Sequence, residues 1–159
     1  MIATELERVT AEYLAVEYGS TAPATGMNPI PVTMPWGVFN IHRGEGTSEI
    51  QLPAVIVSCD QTTRENDSNN ATCALEIMVR VQADEGEDNP DPLARLEELS
   101  RVMYEAMLVA GIEDRLNQYR GDRFTCIAVP LQSQGKGARE RIIEHTLSST
   151  VYCSNKNLI

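Results

Sequence analysis

The sequence predicts an α+β domain, a mostly antiparallel sheet of two hairpins with helices packed on one face. Three observations predict it. Residues 92–110 repeat their apolar side chains at three- and four-residue intervals. Residues 72–82 alternate apolar and polar side chains. The last third repeats the strand, turn, strand pattern of residues 53–82. The order is helix, hairpin, helix, hairpin, in a single domain over residues 1–159.

The first helix is expected over residues 4–18, with Leu6, Val9, Tyr13 and Val16 on one face. Thr4 and Glu7 fit a capping box, and Gly19 fits the stop. Residues 19–52 hold Pro23, Pro29, Pro31 and Pro35, which forbid a long helix. They read as a proline-rich arm or extended loop, with "PWGVFNIH" as a short strand carrying Trp36 and Phe39. The other reading of this stretch is a meandering edge hairpin that covers its own core.

"PAVIVSC", residues 53–59, has the apolar run of a buried strand, and "TTRENDSNN" has turn chemistry. In "TCALEIMVRVQ", Cys73, Leu75, Ile77, Val79 and Val81 point one way, and Glu76 and Arg80 the other. That is the pattern of a half-exposed antiparallel strand.

The stretch "ADEGEDNPDP" carries Asp84, Glu85, Glu87, Asp88 and Asp91. A calcium loop of the EF-hand type needs acids at alternate positions and a glycine at the sixth. Gly86 is third from Asp84, and Pro90 and Pro92 interrupt the ligand run. A helix entry fits better, with Asp91 as N-cap and Pro92 as the first helical residue. An acidic contact surface and a metal loop are the competing readings. The helix itself carries Leu96, Leu99, Met103, Ala106 and Ala110 in one stripe, widened by Leu93 and Met107, with Glu97 paired to Arg101. "IEDRLNQY" adds one or two turns. "RFTCIAVPLQS" and "ERIIEHTLSSTVYC" are the arms of the closing hairpin, with "QGKGA" as its loop and Pro130 at an edge or bulge.

Acids outnumber bases 23 to 13, which argues against a broad nucleic-acid-binding surface. The imbalance is uneven. Residues 61–119 hold thirteen acids and five bases, whereas residues 120–159 hold three acids and six bases. Either these charges are only solvated, or a basic face of one copy meets an acidic face of the next. The N-terminus carries Glu5, Glu7, Glu12 and Glu17 where a secretory signal needs an apolar core. No stretch approaches the ~18 apolar residues of a membrane span. The expectation is a soluble chain made in the cytoplasm.

Catalytic motifs are sparse. His42 and His145 have no metal-ligand spacing, and the four cysteines have no CxxC. Buried free thiols are the default reading, with Cys59 and Cys73 able to meet across a hairpin. His145, beside Glu144 in a strand, reads as structural. "GKG" at 135–137 is too short for a phosphate loop. No cofactor and no enzymatic activity is expected.

The succession of an amphipathic helix, an irregular arm, "LPAVIVS", the polar tip "TTRENDSNN", "ALEIMVRV", the helix "DPLARLEELSRVMYEAML" and "IIEHTLSSTVYC" resembles the tail-terminator and neck (head-to-tail joining) proteins of tailed bacteriophages. The resemblance is one of architecture, length and pattern, and covers most of residues 2–153. It implies a virion protein of the tail or neck, assembled in the host cytoplasm as a ring, usually a hexamer. Its partners would be further copies of itself, the tail tube protein and a head-side connector or neck protein. DNA would pass through the lumen without specific binding. Candidate interface residues are Trp36 and Phe39 on the arm, Arg64, Glu65 and Asp67 at the first hairpin tip, Asp84, Glu85, Glu87 and Asp88 in the acidic stretch, and Arg120, Arg123, Lys136, Arg139 and Arg141 in the basic third. The alternative is a small α+β ligand-binding or regulatory module. A small enzyme using His145 or the acidic stretch ranks behind both.

Overall fold

A computed structural model describes residues 2–17, 29–44, 50–61, 70–84, 86, 91–108, 124–128, 132–139 and 141–155. These form α1 (Ile2–Glu17), β1 (Ile30–Met34), β2 (Gly37–Arg43), β3 (Ala54–Gln61), β4 (Asn70–Gln82), α2 (Pro92–Leu108), β5 (Phe124–Ala128), β6 (Gln132–Arg139) and β7 (Ile142–Asn155). The strands make one open mixed sheet in the order β1-β2-β3-β4-β7-β5, with β6 also paired to β7. The pairings are antiparallel except β2 with β3, which run parallel. The expected α+β class and the mostly antiparallel sheet therefore hold. So does the packing of both helices on one face, where α1 and α2 share a single apolar cluster with β1 to β4 and β7.

Two expectations are corrected, and one open choice is decided. Of the two readings of residues 19–52, the edge hairpin is the one found, since β1 and β2 extend the sheet by two strands. Its prolines fit because Pro31 lies on an edge strand, where a missing N–H breaks no interior ladder. In the last third, the expected first arm is two strands, β5 and β6, which pair with successive halves of β7. "QGKGA" belongs to β6, and the turn comes at Arg141. A bulge between Ser133 and Gly135 lets β6 run through these glycines, and Gly135 takes a φ of 146° that favours glycine. Finally, α1 begins at Ile2, so Thr4 and Glu7 sit inside the helix and make no capping box. The proposed turns at 112–119, Pro130 and the tip at 62–69 lie outside the described residues.

The long pair β4–β7 is the spine. Its register runs unbroken from Asn70↔Ser154 to Gln82↔Ile142. Along β4, Cys73, Leu75, Ile77, Val79 and Val81 are buried, while Ala74, Glu76 and Gln82 are exposed. The alternation predicted by period two is thus the division between a helix-covered face and an open face. α1 covers β2 and β3 with Leu6, Val9, Tyr13 and Leu14, and α2 covers β4 and β7 with Leu96, Leu99 and Met103. Asp91 caps α2 as expected, accepting from the Ala94 N–H at 3.1 Å. Leu93 does not widen the stripe. It lies roughly a quarter turn from the line of Leu96, Leu99 and Met103 and is 55% exposed. Arg101 pairs with Glu105, not Glu97, at 3.0 Å.

Candidate functional site

The aromatic pair expected on the arm has separate roles. Phe39 is fully buried in the core, so it is not an interface anchor. It faces inward opposite Val32, where the hairpin turns its apolar side to α1. Trp36, at the β1–β2 turn, keeps part of its surface and stacks on Phe39 with centroids 6.4 Å apart. The Arg95 guanidinium lies 3.8 Å from the Trp36 ring centroid, a cation–π contact that ties the hairpin to the start of α2.

Among the charged candidates, Asp84 and Arg141 approach each other at 4.0 Å, and both are exposed. The main chain beside them closes with Ala83 N–H donating to Arg141 C=O at 2.8 Å. Acid and base from the two oppositely charged regions thus meet within one chain here. At Arg80 and Glu144, 3.1 Å apart on the open face, the signs are reversed, a base of the acidic stretch meeting an acid of the basic third. Lys136 and Arg139 fall on β6, at the register positions of His145 and Ile142. Arg64, Glu65, Asp67, Glu85, Glu87, Asp88, Arg120 and Arg123 lie outside the described residues.

Two acid–base and thiol groupings sit under α1. β2 leaves the sheet at Gly44, whose N–H donates to Val57 C=O at 2.7 Å and whose φ is 68°. Beyond that point the β3 edge has no neighbouring strand among the described residues, and the Glu7 carboxyl accepts from the Cys59 main chain there. Burial pushes Glu7 above the usual carboxylate range, and Arg43 opposes that shift. Cys59 and Cys73 are free thiols that meet on the covered face, as the hairpin reading allowed. The hydrogen bond to Cys73, together with burial, holds Cys59 in its thiol form. On the other face of the sheet, at the register position of Ile56, His42 is 1% exposed and accepts the Gln51 N–H at Nε2, 3.3 Å away. Burial lowers its pKa, so the ring is held neutral, and its Nδ1 has no partner among the described residues.

The best-formed constellation involves the other histidine. His145 lies on the covered face of β7, 8% exposed, and joins three elements. Ser100 on α2 donates its hydroxyl proton to Leu96 C=O at 2.7 Å. Its oxygen is then an acceptor for His145 Nδ1–H at 2.9 Å. That assigns the proton to Nδ1 and leaves Nε2 as an acceptor, 2.7 Å from the Ser133 hydroxyl on β6. The chain of donation runs Ser133, His145, Ser100, Leu96. It opens on a cavity of about 290 Å³ lined by Glu97, Arg101, Tyr104 and Leu147 as well as the trio.

Reading His145 as a strand histidine beside Glu144 missed this site. Glu144 points to the other face, toward Arg80. The usable signal was the inward series Ile143, His145, Leu147, Ser149, Val151, because a buried polar side chain must find partners. Ser133 carried no such signal, since the bulge sets its register.

Among the described residues, no group of three or more His, Cys, Asp or Glu side chains is arranged to hold a metal ion. Nor is any described helix long and apolar enough to cross a membrane. No protein-family model matches the chain, and no curated protein sequence matches it.

Proposed function

We propose that this chain is a structural virion component, a tail terminator or neck ring protein that caps a tail tube and joins it to the head connector. The carrying observation is that the open sheet has two unlike ends. Val38, near the β1 edge, is 46% exposed, and Tyr152, beside β5, is 49% exposed. The register places both on the face that the helices leave open. A contact between such unlike patches is head-to-tail, and it closes into a ring when the rotation permits. Strand addition at β1 is disfavoured because Pro31 has no N–H to offer, so side chains of the open face would make the joint. That face carries Asp60, Glu76 and Glu144 against Arg80 among its described side chains. Turned toward a lumen, a net negative face lets DNA pass, because phosphate binding depends on cationic contacts.

Light scattering and negative-stain imaging test this reading. The expected result is a hexamer-sized ring, reduced to monomer by Val38→Asp or Tyr152→Asp with unchanged circular dichroism. A wild-type chain that stays monomeric even with its tail tube protein would overturn it. The second reading, a small ligand-binding module, draws on the cavity beside His145. It predicts a monomer or dimer whose thermal midpoint rises with a cavity-sized ligand.

A further inference from the structure

The geometry points to Ser133 as a nucleophilic hydroxyl, with His145 as its base, in a site that accepts short apolar acyl groups from activated esters. The inference does not rest on the ring reading, since every participating group belongs to one chain.

Activation of a serine needs a base within hydrogen-bond reach and a third group that orients the base. Both are present. Ser133 Oγ is 2.7 Å from His145 Nε2, and the ring is turned by Ser100 at 2.9 Å from Nδ1. Ser100 is itself fixed, because its proton is committed to Leu96 C=O. It is a positioning residue and need not touch a substrate. Accessibility follows from where each group sits. Ser133 is exposed, whereas His145 and Ser100 are buried at 8% and 6%. The reactive oxygen thus faces the cavity while the base is shielded behind it. Leu147 and the half-exposed Tyr104 supply apolar wall, and Arg101 lies at the same cavity as a cation for developing negative charge. Gln134, directly after Ser133, is the extra residue of the bulge. It has no register partner on β7.

The step is acyl transfer. Ser133 Oγ attacks the ester carbonyl carbon and passes its proton to Nε2. The tetrahedral adduct expels the alcohol or phenol, which takes that proton, and an acyl-serine remains. Water then attacks the acyl carbon, giving a proton to Nε2 that returns to Ser133 Oγ as the acid leaves. No oxidant, metal or second reactant other than water is needed.

The test uses the whole chain and an alkyl fluorophosphonate, whose phosphorus bonds to the serine oxygen as fluoride leaves. Mass spectrometry of the digested protein locates the adduct. The expected result is modification of Ser133 in the native protein, absent after unfolding in urea and absent in Ser133→Ala, an exposed change that spares the fold. His145→Gln should slow labelling by roughly 100-fold, the usual share of a general base. Ser100→Ala should slow it, and Ser100→Thr should restore it, because a second hydroxyl orients the ring where a merely filled space cannot. Native protein that stays unlabelled at Ser133, or that labels equally when unfolded, overturns the proposal. The trio would then only satisfy a buried imidazole.

Discussion

The two faces of β7 share one backbone and one register, yet they follow opposite rules. Toward the helices stand Ile143, His145, Leu147, Ser149 and Val151, and toward the open side stand Ile142, Glu144, Thr146, Ser148, Thr150 and Tyr152. The covered face is apolar except for His145 and Ser149. The open face is polar except at Ile142 and Tyr152. Each face is most informative where it breaks its own rule. A histidine inside must be satisfied by partners, and it is, by Ser100 and Ser133. A tyrosine outside, 49% exposed, adds apolar surface to a face that the two helices leave uncovered.

A cut into the covered face of the spine should do the most damage. Leu75 is fully buried opposite Ser149, between β3 and β7. Leu75→Ala should cost about 2–5 kcal/mol, the lost transfer energy plus the cavity left behind. Ser148→Ala, on the open face one register step away, should stay within about 0.5 kcal/mol. Urea denaturation of both variants measures the contrast. Equal losses would mean that the open face is also a packed layer.

Legibility followed the same division. Period two in "TCALEIMVRVQ" placed Cys73, Leu75, Ile77, Val79 and Val81 inside because a half-covered sheet imposes that alternation. Asp91 and Pro92 declared the start of α2 through local cap chemistry. What the sequence hid was non-local. The parallel pairing of β2 with β3 needs a crossover that no local pattern encodes, and the prolines before it masked a hairpin as an arm. The β6 bulge put glycines into a strand where they read as a loop. Phe39 and Trp36 looked alike in sequence, and only the hairpin register separated the core residue from the half-exposed one. The trio at His145 draws on three elements up to 45 residues apart, so no spacing could announce it.

A smaller effect is expected at the polar exception on the covered face. Ser100→Ala removes the acceptor of a buried Nδ1–H and should cost about 1–3 kcal/mol. His145→Leu removes the ring instead. Ser100 keeps its bond to Leu96 C=O, Ser133 turns to water, and the covered face gains an apolar side chain of similar size. That variant should lie within about 1.5 kcal/mol of wild type. The partner's truncation should therefore be the more damaging of the two, as thermal unfolding would show. The reverse order would mean that His145 contributes stability beyond this relay.

The smallest effect concerns pH at the other end of the covered side, where Glu7 closes the β3 edge. Its folded pKa is raised above the ordinary value of 4.5, chiefly by burial, with Arg43 opposing. For an acid with a raised folded pKa, the folded state holds the proton more tightly than the unfolded chain. The group therefore destabilises the fold where it is ionised in both states, and that cost vanishes below the unfolded pKa. Glu7→Gln keeps an oxygen to accept from the Cys59 main chain and removes the charge. It should be more stable than wild type at neutral pH, by less than about 1 kcal/mol because the carboxyl is partly solvated. The advantage should shrink as pH falls through the raised folded pKa and disappear below the ordinary carboxylate range. Urea midpoints of both proteins across that window test the sign. A glutamine variant that is weaker at neutral pH and gains on acidification would show that the attraction to Arg43 outweighs desolvation, and that this edge is held by charge where the His145 end is held by neutral hydrogen bonds.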